Sequence, residues 1–317
     1  MTFKLLDSGA WVTAKELHVA SGGAFASIRK GSRWDGSEWQ TIFQKEIAVT
    51  LASTTNVTIS SLFSAGDWAS TAPKRVIIPA DAIIGSTSTS APALRTGTGW
   101  SGKLAVEIHG QILGAGGPAN GGAGGPALLA EQAGIEIYNA GEIKGGGIGG
   151  GPGGQGGPGY YYVYTTEGPY FSLTPPETYY YNGTIWWFGN VYSQGQDGWT
   201  YSQGAPGGSG AYYILRTKLT STGYSTGGAG GAGGRGRGYN QTPLNGSPGS
   251  AGGTNAGLGG TGGAGGEWGL AGATGSTGAS GNNGAGSPGS PGGTPGAAIL
   301  NPGYVDLINT GTLAGAH

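Results

Sequence analysis

"GLGGTGGAGGEWGLAGATGSTGASGNNG", residues 257–284, places glycine at 257, 260, 263, 266, 269, 272, 275, 278, 281 and 284 without a miss. Glycine held to one phase of a three-residue period marks a chain in which that phase is too crowded for a Cβ. The conformation with this period is the extended, left-handed threefold helix of the polyproline II type, which has no internal hydrogen bonds. Its amides and carbonyls must be paired on neighbouring chains. Two packings do this. Collagen winds three chains, keeps one glycine per triplet at the axis and stiffens the rest with proline. Alternatively, one chain runs back and forth as several such helices in layers, and a helix with neighbours on two or three sides needs "GGX" or "GGG". Residues 257–284 contain no proline, while "GGGIGGGPGGQGGPG" (145–159) and "GGAGGAGGRGRG" (227–238) put glycine at two positions in three. Short blocks broken by turns also suit the folded-back bundle. The sequence favours it over collagen-like triplets, with a disordered linker as the remaining option.

Composition narrows the choice. Of 317 residues, 74 are Gly and 17 are Pro, more than twice average usage. Disordered chains are poor in aromatics and rich in charge; this one has 16 Tyr, 9 Trp and only 10 % charged residues. A net charge of −1 offers no field for nucleic acid or an anionic membrane. No apolar run approaches the roughly 20 residues of a membrane helix. The start, "MTFKLLDSGAW", has neither the basic segment nor the apolar core of a secretion signal, so synthesis in a cytoplasm is expected. Without cysteine there are no disulfides and no zinc–thiolate site.

Three regions follow along the chain. In residues 1–45, "SGAW" (8–11), "GGAF" (22–25) and "GSEW" (36–39) recur every 14 residues, with Trp11, Phe25 and Trp39 in the same position. Each unit is too small to bury its own aromatic, so the three are expected to stack as a compact β module, either a plain structural unit or a docking one. Residues 46–113 read as a β domain, from "IAVTL", "VTISSLF", "KRVIIPA" and "LAVEIHG". Residues 114–317 form the glycine-rich region. Within it "IEIYNAGEIKG" (135–145) and "VDLINTGTLAG" (305–315) align residue for residue, and "GQILG" (110–114) matches the end of the pattern. The pattern reads as strand, Asn-x-Gly turn, second short strand, opening or closing a glycine block. "PALLAEQAG" (126–134) is the best helix candidate, at about two turns. The fold class expected is mainly β, with a large glycine-rich domain of packed polyglycine or polyproline II helices and almost no α-helix.

Residues 160–224, inserted between glycine blocks, hold 13 of the 16 tyrosines. Tyrosine with Ser, Gly and Asn is the composition of recognition loops, in which rigid rings supply contact area at low entropy cost. Rings also stack on sugar faces. The plain alternative is that individual rings pack over the bundle's side. The candidate contact residues are Tyr160, Tyr161, Tyr162, Tyr164, Tyr170, Phe171, Tyr179, Tyr180, Tyr181, Trp186, Trp187, Trp199 and Tyr201, joined by Arg235, Arg237 and Tyr239 if a turn brings "GGRGRGYNQ" to the same tip. The arginines could meet carboxylates or phosphates there.

Catalysis needs titratable groups brought together. His18, His109 and His317 lie near no acid cluster, and Glu131, Glu136, Glu142, Glu167, Glu177, Asp197, Glu267 and Asp306 are scattered. "GAGGPANGGAGG" lacks the Lys-Ser/Thr ending of a phosphate loop. No enzyme activity, metal or cofactor is expected.

"VEIHGQILGAGG" (106–117), "AGGPALL" (123–129) and "IEIYNAGEIKGGG" (135–147) resemble the tail-fibre tip adhesins of T-even-like bacteriophages. "GAAILNPGYVDLINTGTLAG" (296–315) is similar to the C-terminal ends of host-specificity proteins at lambda-like tail tips, and the 14-residue repeats resemble phage tail repeats. The resemblance covers roughly residues 100–317. It implies a receptor-binding protein of the virion tail, with polyglycine helices sandwiched together and the joining loops forming a tip for a bacterial outer-membrane protein or surface glycan. It implies that Trp11, Phe25 and Trp39 belong to a part docking on a tail fibre or hub protein, as a single copy or a homotrimer. The long insertion 160–203 and the 14-residue repeats depart from the family's pattern. A structural fibre or assembly protein, and a glycine-rich ice-binding protein, are the rival readings; neither has a use for the aromatic insertion.

Overall fold

A computed structural model of the chain describes residues 4–7, 10–13, 18–21, 24–27, 30–34, 36–37, 39–171, 179–181, 184–186, 200–206 and 212–317, with side chains described at 32, 36, 37, 45–166 and 217–317. The first 44 residues supply three antiparallel hairpins, β1 (Lys4–Asp7) with β2 (Ala10–Thr13), β3 (His18–Ser21) with β4 (Ala24–Ser27) and β5 (Lys30–Trp34) with β6 (Trp39–Gln44). Each repeat aromatic lies in the second strand of one hairpin, second in β2 and β4 and first in β6: Trp11 lies opposite Leu6, Phe25 opposite Ala20, and Trp39 opposite Trp34.

From residue 47 the chain winds as a parallel β-solenoid with three faces. The first rung is β7 (Ile47–Thr50), β8 (Thr54–Thr55) and β9 (Val57–Thr58). The second is β10 (Lys74–Ile78), β11 (Ile83–Gly85) and β12 (Leu94–Arg95), and the third is β13 (Leu104–Ile108), β14 (Gln111–Leu113) and β15 (Leu128–Leu129). β16 (Ile135–Asn139) and β17 (Glu142–Lys144) begin a fourth, which is completed only by β23 (Ile299–Leu300); β24 (Val305–Asn309) and β25 (Thr312–Ala314) form the fifth. The three faces are the sheets β24-β16-β13-β10-β7, β25-β17-β14-β11-β8 and β23-β15-β12-β9.

Stacking in register explains the β-branched and aliphatic runs. Val49, Val76, Val106, Ile137 and Leu307 form one inward column on the first face, and Ile84, Ile112, Ile143 and Leu313 another on the second. Leu94, Leu128 and Ile299 fill the third, so the interior is one continuous aliphatic stack. The sequence alignment of 135–145 with 305–315 is the strand register itself: Ile135 pairs with Val305, Ile137 with Leu307, Asn139 with Asn309 and Ile143 with Leu313. The Asn-x-Gly element is a solenoid corner rather than a hairpin turn, because β16 and β17 lie in different sheets. Glycine is required there by stacking: a Cβ on Gly141 would lie 2.0 Å from the Gly110 carbonyl oxygen. Asn139, buried, donates from Nδ2 to Asn309 Oδ1 at 2.6 Å, tying the last two corners together.

The corner between the third and first faces is plugged by aromatics. Helix α1 (Ala65–Ala69), capped by the Ser64 hydroxyl, delivers Trp68 against Phe63 and Trp100. Lys74 occupies an inward column and is fully buried, yet its ammonium donates to the carbonyls of Ser70, Ala72 and Ser101 at 2.7–2.9 Å. Burial holds its pKa below the usual lysine value, against the opposing pull of Asp67.

Two expectations are corrected. Residues 126–134 are not helical: Leu128 and Leu129 form β15, because Leu128 is needed in the third-face column and burial there overrides local helix propensity. Nor do the sheets stop at residue 113. They run on through 128–144 and 299–314, so the region placed at 114–317 shares its core with the one placed at 46–113.

One corner, between the second and third faces, widens rung by rung. It is turned by Asn56 alone in the first rung, and by 86–93, 114–127 and finally 145–298 in the next three. Glycine makes up about a third of the last excursion and dominates it outside the aromatic insertion. Its central segment, 145–158, is neither helix nor strand, and its backbone is paired on all sides. Amides of Gly147, Gly150, Gly153 and Gly156 donate to the carbonyls of Arg237, Gly234, Gly231 and Gly228 at 2.7–2.8 Å. Those of Gly151, Gly154 and Gly157 donate to Ala273, Ser276 and Ala279, while the carbonyls of Gly151, Gly154 and Gly157 accept from Gly263, Gly260 and Gly257. The third phase holds Pro152, Gln155 and Pro158. Proline fits there because that phase supplies acceptors: the carbonyls of Pro152 and Gln155 accept from Ser290 and Ser287.

Candidate functional site

The glycine lattice has two ends. Next to the solenoid, Gly147 meets Arg237 and Ile148 meets Gly266; at the far end Gly156 meets Gly228 and Gly157 meets Gly257. From the far end springs the aromatic insertion, as a β arm. β18 (Gly159–Phe171) pairs antiparallel with β22 (Tyr212–Ser225), which pairs in turn with β21 (Thr200–Pro206); β19 (Tyr179–Tyr181) and β20 (Thr184–Trp186) form a separate hairpin.

Two turns of the glycine lattice hold the arm at its root. Asn282 Oδ1 accepts from the Tyr160 amide at 2.8 Å, and Asn282 Nδ2 donates to the Tyr160 carbonyl at 3.0 Å. The side-chain amide thus stands in for a neighbouring strand. Asn255, at φ +60°, donates to the same carbonyl at 2.9 Å, and the Ser225 hydroxyl donates to Thr254 O at 2.6 Å on the returning strand. Asparagine suits these turns because it tolerates the left-handed region and its amide reaches nearby backbone. Replacing Asn282 by alanine is expected to speed hydrogen exchange at the Tyr160 amide about 10- to 30-fold, from two bonds of about 1 kcal/mol each, with the global unfolding midpoint nearly unchanged. Amide exchange read by NMR checks this; an unchanged Tyr160 rate would show that Asn282 is not what protects it.

The root presents a ladder of rings. Tyr160, Tyr162 and Tyr164 share one face of β18 and meet edge to face, with centroids 5.6 and 6.3 Å apart. Cross-strand partners put Tyr224 beside Tyr160, Thr222 beside Tyr162 and Leu219 beside Tyr164 on the same face. Tyr162, Tyr164 and Tyr224 are 52 %, 56 % and 71 % exposed, too open to be core. The Tyr160 phenol beside it raises the Tyr162 hydroxyl above the ordinary phenol value. Tyr161 points to the other face, where its ring lies over Gly223: a Cβ there would stand 2.5 Å from the Tyr161 ring.

The remaining candidates separate. Tyr170 and Phe171 lie on β18 opposite Ile214 and Tyr213, Tyr179 to Tyr181 on β19 and Trp186 on β20, and Tyr201 on β21 opposite Arg216. Trp187 and Trp199 fall outside the described residues. Arg235, Arg237 and Tyr239 are not brought to the aromatic tip. They sit at the solenoid end, because 227–238 runs antiparallel to 145–158 and ends where that segment begins. There Arg235 Nε donates to Thr242 O, Arg237 pairs with Glu267 at 3.0 Å and lies 5.9 Å over the Trp268 ring, and the Tyr239 ring packs against Gly85. Asn255 and Tyr224 were not among the residues singled out from sequence. The signal for Asn255 lay in the break of the glycine period at "GGTNAG", whereas "GNNG" keeps the period and gave none. Among the described residues no group of three or more His, Asp or Glu is placed to hold a metal.

A family model described as phage tail fibre adhesin Gp38 matches residues 45–213, over half of the chain. No curated protein matches it in sequence. Among solved structures it is similar to the gp37–gp38 adhesin tip complex of the bacteriophage S16 long tail fibre, with a TM-score of 0.37 and 18 % identity over 86 % of this chain and 82 % of the other.

Proposed function

The chain belongs to the phage tail fibre adhesin Gp38 family, and on that premise we propose that its aromatic arm is the part that meets the bacterial surface. It is a receptor-binding adhesin of the virion tail, and its role is binding rather than catalysis. The observation that carries the assignment to the arm is geometric: the glycine lattice ends, at the pole away from the solenoid, in a clamped β arm with exposed tyrosines.

We read the glycine segments as polyglycine II helices. Support comes from donors and acceptors that recur every third residue toward several neighbours. At about 3.1 Å per residue, the 13 steps from Gly145 to Pro158 would set the arm about 40 Å from the solenoid. Glycine loses more entropy on ordering than any other residue, but the resulting rod is held by backbone bonds on all sides and carries the arm at a fixed distance. Residues 1–45 would then be the part that docks on a tail fibre protein, with Trp11, Phe25 and Trp39 as its candidate contact residues. The family match begins at residue 45, just beyond the third hairpin, which supports a separate role for the hairpins.

The test is to replace 161–223 with a short Gly-Ser turn, which the direct pairing of Tyr160 with Tyr224 makes possible. The variant should unfold at the parent midpoint and lose saturable binding to a panel of intact bacteria. Equal binding by variant and parent would remove the arm from the receptor site.

A further inference from the structure

We propose that the root of the arm is a platform for a neutral surface glycan, with Tyr160, Tyr162, Tyr164 and Tyr224 as its stacking rings. This rests on the reading of the arm as the receptor-binding part and names the chemistry it takes. Alternate residues on a strand stand about 6.7 Å apart, so the three β18 rings recur at a spacing of the order of one sugar unit, and because neighbours are turned 69° and 64° to each other they offer a ring face and a ring edge in alternation. Sugar rings present C–H faces that pack on aromatic rings and hydroxyl edges that need hydrogen-bonding partners. The tyrosine ladder supplies both, since each ring is flat and apolar and ends in a phenol.

Next to it lies the second element of the site. An open groove of about 470 Å³, within the range of ligand clefts, runs along the far end of the glycine lattice and shares Tyr224 with the ladder. Gln155, Ser225, Thr226 and Ser287 line it with an amide and hydroxyls, and Pro158 with apolar surface. A chain lying over Tyr164, Tyr162 and Tyr160 would therefore continue past Tyr224 into a trough of mostly apolar surface dotted with hydroxyls and one amide.

Charge selects against acidic ligands. The ladder face holds Tyr160, Tyr162, Tyr164, Leu219, Thr222 and Tyr224, with no cation. Arg235 and Arg237, which could meet a phosphate or carboxylate, are at the opposite pole and engaged there with Thr242 and Glu267. A protein receptor fits less well. A standard protein–protein interface covers about 800 Å² on each partner around a closely packed apolar centre, whereas this is a narrow ribbon two strands wide.

The experiment uses the full chain with two double variants, Tyr162→Ala with Tyr164→Ala, and Tyr162→Phe with Tyr164→Phe. The probes are intact cells of a strain the parent binds and the purified neutral and acidic O-polysaccharides of that strain and its relatives. Phenylalanine keeps the stacking surface, so the Phe variant should bind the neutral polysaccharide within about 3-fold of the parent, and the Ala variant at least about 10-fold more weakly. Periodate treatment of the cells should abolish binding and protease treatment should not. Unfolding midpoints equal to the parent's keep a folding defect from passing as a binding defect. Binding that survives periodate but not protease, or that prefers acidic polysaccharide, overturns the glycan assignment while leaving the adhesin reading intact. Cell binding unaltered by replacing 161–223 would instead sink the assignment of the receptor site to the arm, and this proposal with it.

Discussion

Gly154→Ala is expected to prevent the glycine lattice from closing, at a loss of about 5–7 kcal/mol in stability and with receptor binding lost alongside. A Cβ on Gly154 would lie 1.9 Å from the Ser287 carbonyl oxygen. The obstacle is backbone, so no side chain can swing away. Moving 285–290 outward would pull Ser287 and Ser290 from the carbonyls of Gln155 and Pro152, and Gly275 and Gly278 from Ser290 and Ser287. Overpacking in a well-packed interior costs about 1–3 kcal/mol, and each lattice bond given up adds about 1 kcal/mol. The far-end turn carrying Asn282 joins the two segments that would be forced apart, so the arm would lose its clamp as well. Gln155→Ala, one residue along, is the control: it occupies the phase that already carries a side chain, is exposed, and should alter stability by no more than about 0.5 kcal/mol. Urea unfolding of the two variants decides. Equal midpoints for Gly154→Ala and Gln155→Ala would mean that the lattice is looser than its geometry.

The same contrast shows which parts of the molecule were legible in the sequence. The period of three was legible because steric crowding acts on every residue of a phase, so the glycines at 257, 260 and 263 report their neighbours directly. The alignment of "IEIYNAGEIKG" with "VDLINTGTLAG" was legible too, and it is the pairing register of the fourth and fifth rungs. That it is a solenoid was not. The earlier rungs keep less of the pattern: Val76 and Val106 lie in the column of Ile137, but the third rung keeps only the glycine of the corner, Gly110, with Ile108 in place of the asparagine, and the second lacks the Asn-x-Gly element altogether. A stack of rungs constrains which side faces inward far more than which residue stands there, so aliphatic columns persist while the corner sequence drifts. Leu128 shows the limit from the other side. "PALLAEQAG" has helical composition, and what overrides it is a slot between Leu94 and Ile299, residues 34 and 171 positions away in the sequence. In the site, the tyrosine block announced a binding surface by composition. The placing of Arg235 and Arg237 required the direction of each glycine segment, which a pattern of identical triplets does not encode.

Excising the bundle is expected to leave the solenoid standing and abolish binding to cells altogether. The variant joins Gly146 to Gly296 by three residues, deleting 147–295. These two positions are already in contact, since the Gly296 amide donates to the Gly146 carbonyl at 3.0 Å. The solenoid itself demonstrates that the corner can be tight: in the first rung Asn56, at φ +48°, alone carries the chain from β8 to β9. Rungs two to four insert 86–93, 114–127 and 145–298 at the same place, so the bundle is the longest of a series of excursions from one corner rather than a part of the stack. The columns Val76–Val106–Ile137 and Ile84–Ile112–Ile143 contain no bundle residue. The loss falls on the contacts at the near pole: buried Ile148, the Tyr239 ring on Gly85, and the backbone bonds of Gly114, Gly117, Gly121, Gly122, Gly124 and Gly145 to the bundle, whose freed groups water would take over. Far-UV circular dichroism with urea unfolding tests the first half, and labelled binding to intact bacteria the second. A variant that fails to fold would show that β23, β24 and β25 need the bundle to reach their places, and that the two parts form one cooperative unit. A folded variant that binds nothing would separate the parts. Rod length and arm chemistry could then change with the host while the solenoid, whose pairing with itself is complete without them, stays as it is.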